Sequence, residues 1–318
     1  MKTVTSVFHL LNTSAARELR VHMEGQQLGM TAIQYTLLLH WTGLLRQHLT
    51  KTAGKLQSWN NLLMKLAGSS WGVNANTLRS SALALCYSMA EYCCPVWQRS
   101  THVRVVDAQL HSTMRLISGT IRSTPLPWLP VLTNIEPPAL WHRAATDKLI
   151  MQAECHCDWP LYDDVFHPPP LRLESHKPLW RNLQTVDVTS RWREDWQSAM
   201  VVNSALMVDP TIRLPGFDLH RRQLSLLNHF RTGQGHCNVC HKKWSFTNNE
   251  LCDCGEIQTV SHIVKYVNSC PLTKFDGGLL HLHEADEAAV NWLTTYGYNT
   301  IIIIIIAVFL CGLRWRKL

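Results

Sequence analysis

Charged residues are scarce in this sequence. Only 17% of its 318 residues are Asp, Glu, Lys or Arg, whereas 46% are hydrophobic. Disordered chains have the opposite balance, because they lack the apolar surface that offsets the entropy lost on folding. The composition therefore excludes a disordered tail, and the length allows one large or two modest domains with cores of their own.

Motifs for catalysis are also missing. The sequence has no Walker loop, no dinucleotide-binding glycine motif, no recognisable Ser/His/Asp arrangement and no internal repeat. Tyr162-Asp163-Asp164 is close to the Tyr-x-Asp-Asp signature of polymerases, but it lacks the spacer residue and prolines flank it. We therefore expect no catalytic residue and no small-molecule substrate.

No cleavable signal sequence opens the chain, since the segment from Met1 to Arg17 is polar. The sequence contains 11 cysteines, an odd number that does not suit a framework of disulfides. We therefore predict an intracellular protein, in the cytoplasm or nucleus, whose cysteines bind metal or pack in the core. Cys86, Cys93 and Cys94 lie in an apolar run and are predicted to be buried thiols.

A spanning apolar segment is lacking as well. Ile301–Leu313 is apolar and precedes the basic end of the chain, but a transmembrane helix needs roughly 20 such residues. Consecutive isoleucines also crowd one another in a helix. We interpret residues 297–318 as a low-complexity tail, typical of a translated nucleotide repeat, and do not expect a membrane anchor.

Helical periodicity dominates the first half of the chain. The pattern predicts helices from Gln47 to Ala67, from about Thr77 to Tyr92, from Val103 to a C-cap at Gly119, and from Pro137-Pro138 onward. Short connections between amphipathic helices favour a compact bundle. Helical patterning returns near Ser190 and at about Leu219 to Arg231.

The predicted fold class is mainly α, with an α+β edge at the N-terminus. Residues 1–30 resemble a hairpin, in which Val4, Val7, Phe8, Leu10, Leu19 and Val21 surround a polar turn. Residues 31–153 form the bundle, the proline-rich residues 154–188 form a connector, and residues 189–296 form a small helical domain. A metal-binding segment is expected at about residues 235–272.

That segment contains the strongest chemical signal in the sequence. Six potential zinc ligands lie close together: Cys237, Cys240, Cys252, Cys254, His262 and Cys270. Closely spaced thiolates followed by an imidazole suit a structural Zn²⁺ site, which uses four ligands. The set is either Cys252, Cys254, His262 and Cys270, or one in which the Cys237/Cys240 pair replaces one of these. Gly255 permits the positive-φ turn that directs backbone amides at sulfur.

Basic residues suggest a polyanionic partner. There are 30 Lys and Arg against 23 Asp and Glu, a net charge of +7, which is a modest excess. Near the metal segment, Trp244 and Phe246 could stack on bases, beside His236. The predicted nucleic-acid contacts are Lys51, Lys55 and Lys65, which lie off the apolar face of the first helix, together with Arg221, Arg222, Arg231, Lys242, Lys243 and Trp244.

Beyond these patterns, the chain from Lys2 to Tyr296 resembles the reverse transcriptases (RNA-directed DNA polymerases) of jockey-type non-LTR retrotransposons. The matching segments, in chain order, are Phe8-His9-Leu10, Arg17-Glu18-Leu19, residues 48–56, residues 74–79, Glu91-Tyr92 to Pro95-Val96-Trp97, Leu116-Ile117-Ser118-Gly119, residues 127–132 and the run from Cys252-x-Cys254-Gly255 to His262-Ile263-Val264.

The resemblance implies a thumb followed by a zinc-knuckle domain. It places residues 1–30 at the edge of the palm and the helices from Gln47 onward in the thumb, with the catalytic carboxylates upstream of Met1. We therefore expect an inactive, truncated remnant of a mobile element that holds RNA or DNA. The alternative hypothesis is a zinc-stabilised module that binds protein partners and no nucleic acid.

The chain departs from the family pattern at two places. Thr31 to Leu45 does not match the expected residues, and we hypothesise a local frameshift there. His262 and Cys270 are separated by seven residues where the pattern has about four, so that Lys265-Tyr266-Val267 resembles an insertion. This second departure leaves the role of Cys270 as a ligand open.

Overall fold

The computed structural model describes residues 22–23, 26–27, 37–68, 72–92, 94–98, 100–159, 162, 166–167, 187–245, 247–264, 270 and 274–296. These residues are mainly helical, which confirms the predicted fold class. The helices are α1 (Leu37–Leu66), α2 (Ala75–Ala82), α3 (Ser88–Glu91), α4 (Cys94–Trp97), α5 (Arg104–Ser118), α6 (Trp128–Thr133), α7 (Pro138–Cys155), α8 (Val188–Ser198), α9 (Arg221–Arg231), α10 (Asn238–Lys243), α11 (Val260–Val264), α12 (Gly278–Glu284) and α13 (residues 287–296).

A short antiparallel hairpin precedes the helices. Strand β1 (His22–Met23) pairs with β2 (Gln26–Gln27), so that His22 faces Gln27 and Met23 faces Gln26. It lies within the predicted segment 1–30 but after the polar turn that the sequence pattern indicated between Leu10 and Leu19. The apolar residues predicted to flank it, from Val4 to Val21, lie outside the described residues, as do most of the connector and the tail.

Helix α1 provides the long element of the bundle. Leu49, Leu56 and Leu63 are buried and recur every seven residues, so they form one stripe that faces α5. The predicted start at Gln47 is wrong, because the helix begins at Leu37. No proline interrupts the chain between these two positions, so the helix continues through the segment that departs from the family pattern.

A buried amide fixes the register of three elements. Asn60 on α1 donates to the Gln109 carbonyl of α5 at 3.0 Å and accepts from the Thr113 hydroxyl at 2.7 Å. The Cys86 thiol, in a π-helical segment (Leu83–Tyr87) between α2 and α3, lies 3.9 Å from the same amide oxygen. Burial raises the pKa of Cys86 to about 11. Cys86 and Cys94 are buried thiols, as predicted.

The C-terminal region packs directly against the bundle at the end of α5. Gly119 adopts the left-handed conformation of the predicted C-cap, with φ of 69°. The last carbonyls of a helix have no partner within it, and here α9 supplies donors. Arg221 donates to the Leu116 and Ile117 carbonyls, Asn228 donates to Ser118 at 2.9 Å, and the Ser225 hydroxyl donates to Gly119 at 2.6 Å.

A tryptophan pair joins the bundle to α8. Trp128 of α6 and Trp196 of α8 meet edge to face, with ring centroids 4.9 Å apart. Both indole N–H groups have acceptors, the Val202 carbonyl at 2.9 Å and the Met207 carbonyl at 2.8 Å. Both rings therefore contribute buried apolar area without leaving a donor unpaired.

Among the described residues, no helix has both the length and the apolarity needed to cross a membrane. The apolar run Ile301–Leu313 lies outside the described residues.

Candidate metal centre and nucleic-acid interface

Four of the six predicted ligands converge. The ligand atoms of Cys252, Cys254, His262 and Cys270 all lie within 4.8 Å of one another. The Cys252 and Cys270 sulfurs are 3.4 Å apart, and the Cys254 sulfur is 3.3 Å from Nε2 of His262. Three thiols and one imidazole therefore surround a single point.

A tight turn presents the first two thiols. Leu251 and Ile257 form an antiparallel bridge, inside which the Cys252 amide donates to the Glu256 carbonyl at 2.7 Å. Gly255 has φ of 88°, as the sequence predicted, and no atom lies within 4 Å of where its Cβ would be. The Glu256 N–H faces the Cys254 sulfur and lowers the pKa of that thiol, but partial desolvation and the neighbouring Cys252 and Cys270 raise it overall.

His262 approaches from α11. The hydroxyl of Thr259 accepts the His262 amide at 3.1 Å, which satisfies one of the free donors in the first turn of this helix. Nδ1 of His262 lies 3.5 Å from the Glu256 carboxylate, so that Nε2 faces the thiols. A carboxylate at the far nitrogen is the usual support for a metal-binding imidazole.

Cys270 completes the set despite its unusual spacing. Its amide donates to the His262 carbonyl at 2.9 Å, and its side chain is buried. The residues between 264 and 270 lie outside the described part of the chain. Despite the longer spacing in the sequence, the Cys270 thiol lies beside the other three candidate ligands.

The donor set fits zinc. With Zn–S bonds of about 2.3 Å, the sulfurs of a tetrahedral site are roughly 3.8 Å apart, close to the 3.4 Å between Cys252 and Cys270. Three thiolates and an imidazole close the shell and leave no position for a substrate or a catalytic water, which is the arrangement of structural zinc sites. The possible metal site predicted from the sequence is present in this geometry, with one of the two open ligand sets.

Cys237 and Cys240, which the other ligand set required, lie outside this group. Both pack into the apolar cluster formed by Leu227, Phe230 and neighbouring residues. The neighbouring Cys237 thiol and Lys243 lower the pKa of Cys240 to about 7, whereas the Cys240 thiol and burial raise the pKa of Cys237. Of the two predicted ligand sets, the structure brings together Cys252, Cys254, His262 and Cys270.

The structure also corrects two predicted phosphate contacts. Arg231 is buried and donates to the carbonyls of Pro215 at 2.8 Å and His283 at 2.7 Å, and to Nδ1 of His283. Arg221 is buried against the end of α5. Charge in the sequence suggested a surface role, but these guanidinium groups satisfy backbone carbonyls in the core. Arg222, the next residue after Arg221 on α9, is half-buried.

Around the metal segment the remaining candidates differ in exposure. Lys242 and Lys243 are exposed, and Lys242 lies 2.8 Å from the Glu250 carboxylate. Trp244 is half-buried against the rings of His236 and His241, with centroids 5.3 and 6.0 Å away. Burial lowers the pKa of His236 well below its ordinary value, so at neutral pH it is uncharged. Phe246 lies outside the described residues.

The other basic candidates share one helix. Lys51, Lys55 and Lys65 are all exposed on α1, opposite the leucine stripe. These lysines and the Lys242–Lys243 pair lie on separate elements, α1 and α10.

Sequence patterns missed the residues that support the metal ligands. Glu256 beside His262 and Gln258 beside Cys252 carry no distinctive spacing. The run Cys254-Gly255-Glu256 offers one signal, because a carboxylate two residues after a ligand can reach the next ligand across a tight turn.

Comparison of the chain with known protein families, with curated proteins and with solved structures found no match.

Proposed function

We propose that the chain is a nucleic-acid-binding part of a jockey-type retrotransposon reverse transcriptase, held in shape by a structural zinc ion and without polymerase chemistry of its own. The observation that carries the nucleic-acid part of this proposal is the exposed face of α1. The motif order described above supports the family, and the closed Cys3His donor set supports the structural role of the metal. Zinc thiolates require reduced cysteines, which supports an intracellular location.

The α1 face has one sign of charge. Lys51, Lys55 and Lys65 lie on it, about 21 Å apart from first to last at 1.5 Å per residue. The helix from Leu37 to Leu66 contains no Asp or Glu. Lysines at i and i+4 repel each other and destabilise a helix by roughly 0.2–0.5 kcal/mol. A phosphate backbone would relieve that repulsion, because it places negative charge along the whole row.

Gly54 adds a second observation on the same face. Glycine inside a helix costs about 1 kcal/mol relative to alanine, and a core contact usually explains it. In the described part of the chain, apart from the helix's own backbone, no atom lies within 4 Å of where a Cβ would be, so none of these contacts requires glycine. A bare backbone between Lys51 and Lys55 lets a sugar-phosphate chain approach the helix closely.

The lysine row gives the first test. We expect Lys51→Gln/Lys55→Gln/Lys65→Gln to weaken binding to DNA and RNA duplexes and to lower the salt dependence of log Kd by about one per lost phosphate contact. Fluorescence anisotropy over a KCl series measures both quantities. Lys148→Gln, an exposed lysine on α7, is the control and should leave the slope unchanged. Equal slopes for the triple variant and wild type would contradict the proposal.

We expect substitution of Gly54 to have opposite effects on stability and on nucleic-acid affinity. Gly54→Gln should stabilise the helix by roughly 0.5 kcal/mol, because Gln is the better helix former, while it weakens nucleic-acid binding by filling the gap. Urea unfolding and anisotropy measure the two effects. Asn61→Gln, at another exposed position of α1, should change neither by much. Unchanged affinity in the Gly54 variant would show that nothing approaches the helix there.

A second function, docking of a protein partner, is favoured by a different surface. Four apolar side chains in the segment between α8 and α9 are exposed: Met200, Val202, Val208 and Ile212, of which Met200 has a relative exposure of 101%. The affinity of a protein partner bound there should stay nearly constant as the salt concentration rises, whereas binding through phosphate contacts weakens steeply.

Primer extension with Mg²⁺ or Mn²⁺ tests the remaining alternative, a complete polymerase, and robust extension would overturn our proposal.

A further inference from the structure

Gln258 connects the metal site to the basic helix α10. Its side-chain amide donates to the Cys252 sulfur at 3.4 Å, and its side-chain oxygen accepts the backbone N–H of Asn238 at 3.0 Å. Only this orientation of the amide satisfies both partners, since nitrogen must face the sulfur and oxygen the N–H. The side chain is buried, with 9% of its surface exposed.

The backbone of the same residue strengthens the connection. The Gln258 carbonyl accepts the Val239 amide at 3.2 Å, and its own amide donates to the Glu250 carbonyl at 2.9 Å. Asn238 in turn donates through its side chain to the Leu251 carbonyl at 2.6 Å. The first turn of α10 therefore lies directly on the turn that presents Cys252.

These bonds solve a general problem of helix ends. The first amides of a helix have no partner within it, and at α10 the amides of Asn238 and Val239 both donate to Gln258. Lys242 adds an ion pair to Glu250 on the same turn. One buried residue thus caps the helix that carries Lys242 and Lys243 and also contacts a metal ligand.

We propose that Gln258 is a positioning residue that couples the metal centre to α10, so that metal occupancy holds Lys242 and Lys243 in place. The inference rests on the proposed function, because it requires the metal. A zinc-bound thiolate is an anion and accepts a charge-assisted hydrogen bond, whereas a neutral thiol accepts only weakly. Metal binding therefore strengthens the bond from Gln258 to Cys252 and, through the same side chain, the attachment of α10.

Gln258→Glu separates the two bonds. The carboxylate keeps an oxygen for the Asn238 N–H but places a second oxygen against the Cys252 sulfur, where a donor is needed. We expect zinc affinity to fall about ten- to a hundredfold, the usual effect of losing a group that supports a ligand. Competition with a chromophoric chelator measures the affinity. Gln234→Glu is the matched control, since the described hydrogen bonds of the Gln234 side chain go to Ser123 and not to a candidate metal ligand.

Hydrogen exchange measures the coupling itself. In wild type, zinc should slow exchange both in residues 252–270 and in α10. In Gln258→Glu at saturating zinc, the first segment should remain protected while the gain in α10 is lost. The cobalt-substituted protein gives an independent signal, because a changed donor at the Cys252 sulfur shifts the thiolate-to-metal absorption, which a purely structural role would leave unchanged.

The outcomes are distinct. If Gln258→Glu keeps wild-type affinity and the zinc-induced protection of α10, the coupling is refuted. If both segments lose protection together at saturating zinc, the residue serves only the general fold and the inference is again refuted. If wild type takes up no zinc, as metal analysis would show directly, the metal part of the proposed function fails and takes this inference with it.

Discussion

Cys254→Ser is expected to abolish stoichiometric zinc and to unfold the segment around the site. The variant retains two thiols and an imidazole, and an incomplete shell binds structural zinc far more weakly. In small zinc modules the metal contributes roughly 10–16 kcal/mol, and folding and binding are one event. Elemental analysis should show the loss of metal, and limited proteolysis should show new cleavage between residues 247 and 270. A chelator should produce the same cleavage in wild type.

Two cysteine variants serve as controls for this result. Cys155→Ser removes an exposed thiol that lies outside the four-ligand group, and it should keep both the metal and the protease resistance. Cys240→Ser tests the other ligand set directly and should also keep the metal. Loss of zinc from Cys240→Ser, together with retention by Cys254→Ser, would show that Cys237 and Cys240 are ligands after all.

Arg231→Ala should destabilise the protein by roughly 3–4 kcal/mol, because it leaves several buried acceptors without a donor. The guanidinium group bonds the Pro215 and His283 carbonyls and the His283 ring, and 1% of its surface is exposed. Arg231→Lys should recover only part of the lost stability, because a single ammonium group cannot donate to all the acceptors that the planar guanidinium group reaches. Urea unfolding measures both changes.

The same variant separates a structural from a nucleic-acid role. Arg191→Ala is the control, because Arg191 is exposed and pairs with Glu194 and Asp195 on α8, where such pairs contribute at most about 1 kcal/mol. Nucleic-acid affinity of folded Arg231→Ala, measured under stabilising conditions, should equal that of wild type. A stable variant with weakened nucleic-acid binding would restore the role that the sequence suggested for this residue.

The helices and the metal site were predictable for physical reasons. Periodic leucines such as Leu49, Leu56 and Leu63 mark a buried face, and Gly119 and Gly255 mark positive-φ positions, because these signals depend on neighbouring residues alone. The density of thiols between residues 237 and 270 predicted a metal site for the same reason. The family resemblance and the nucleic-acid partner stay predictions.

The burial of individual side chains, and which residues distant in the chain meet, were not predictable in this way. Arg221 and Arg231 have the same charge as the exposed Lys51 and Lys55, and only the fold shows that the arginines donate to backbone carbonyls in the core. The choice between ligand sets had the same cause. Cys237-x2-Cys240 has good ligand spacing, but its side chains pack in an apolar cluster, outside the group of four that converges.

By itself, the sequence determined what local order dictates: the main helical segments of the bundle, the C-cap at Gly119, and that soft ligands accumulate near the C-terminal end. Tertiary structure alone decided which four ligands meet, that Cys270 returns despite its longer spacing, and that Gln258 joins the metal site to α10. The reason is physical. Helix periodicity and turn chemistry act over a few residues, whereas burial and coordination depend on side chains that are distant in the chain and become neighbours only after folding.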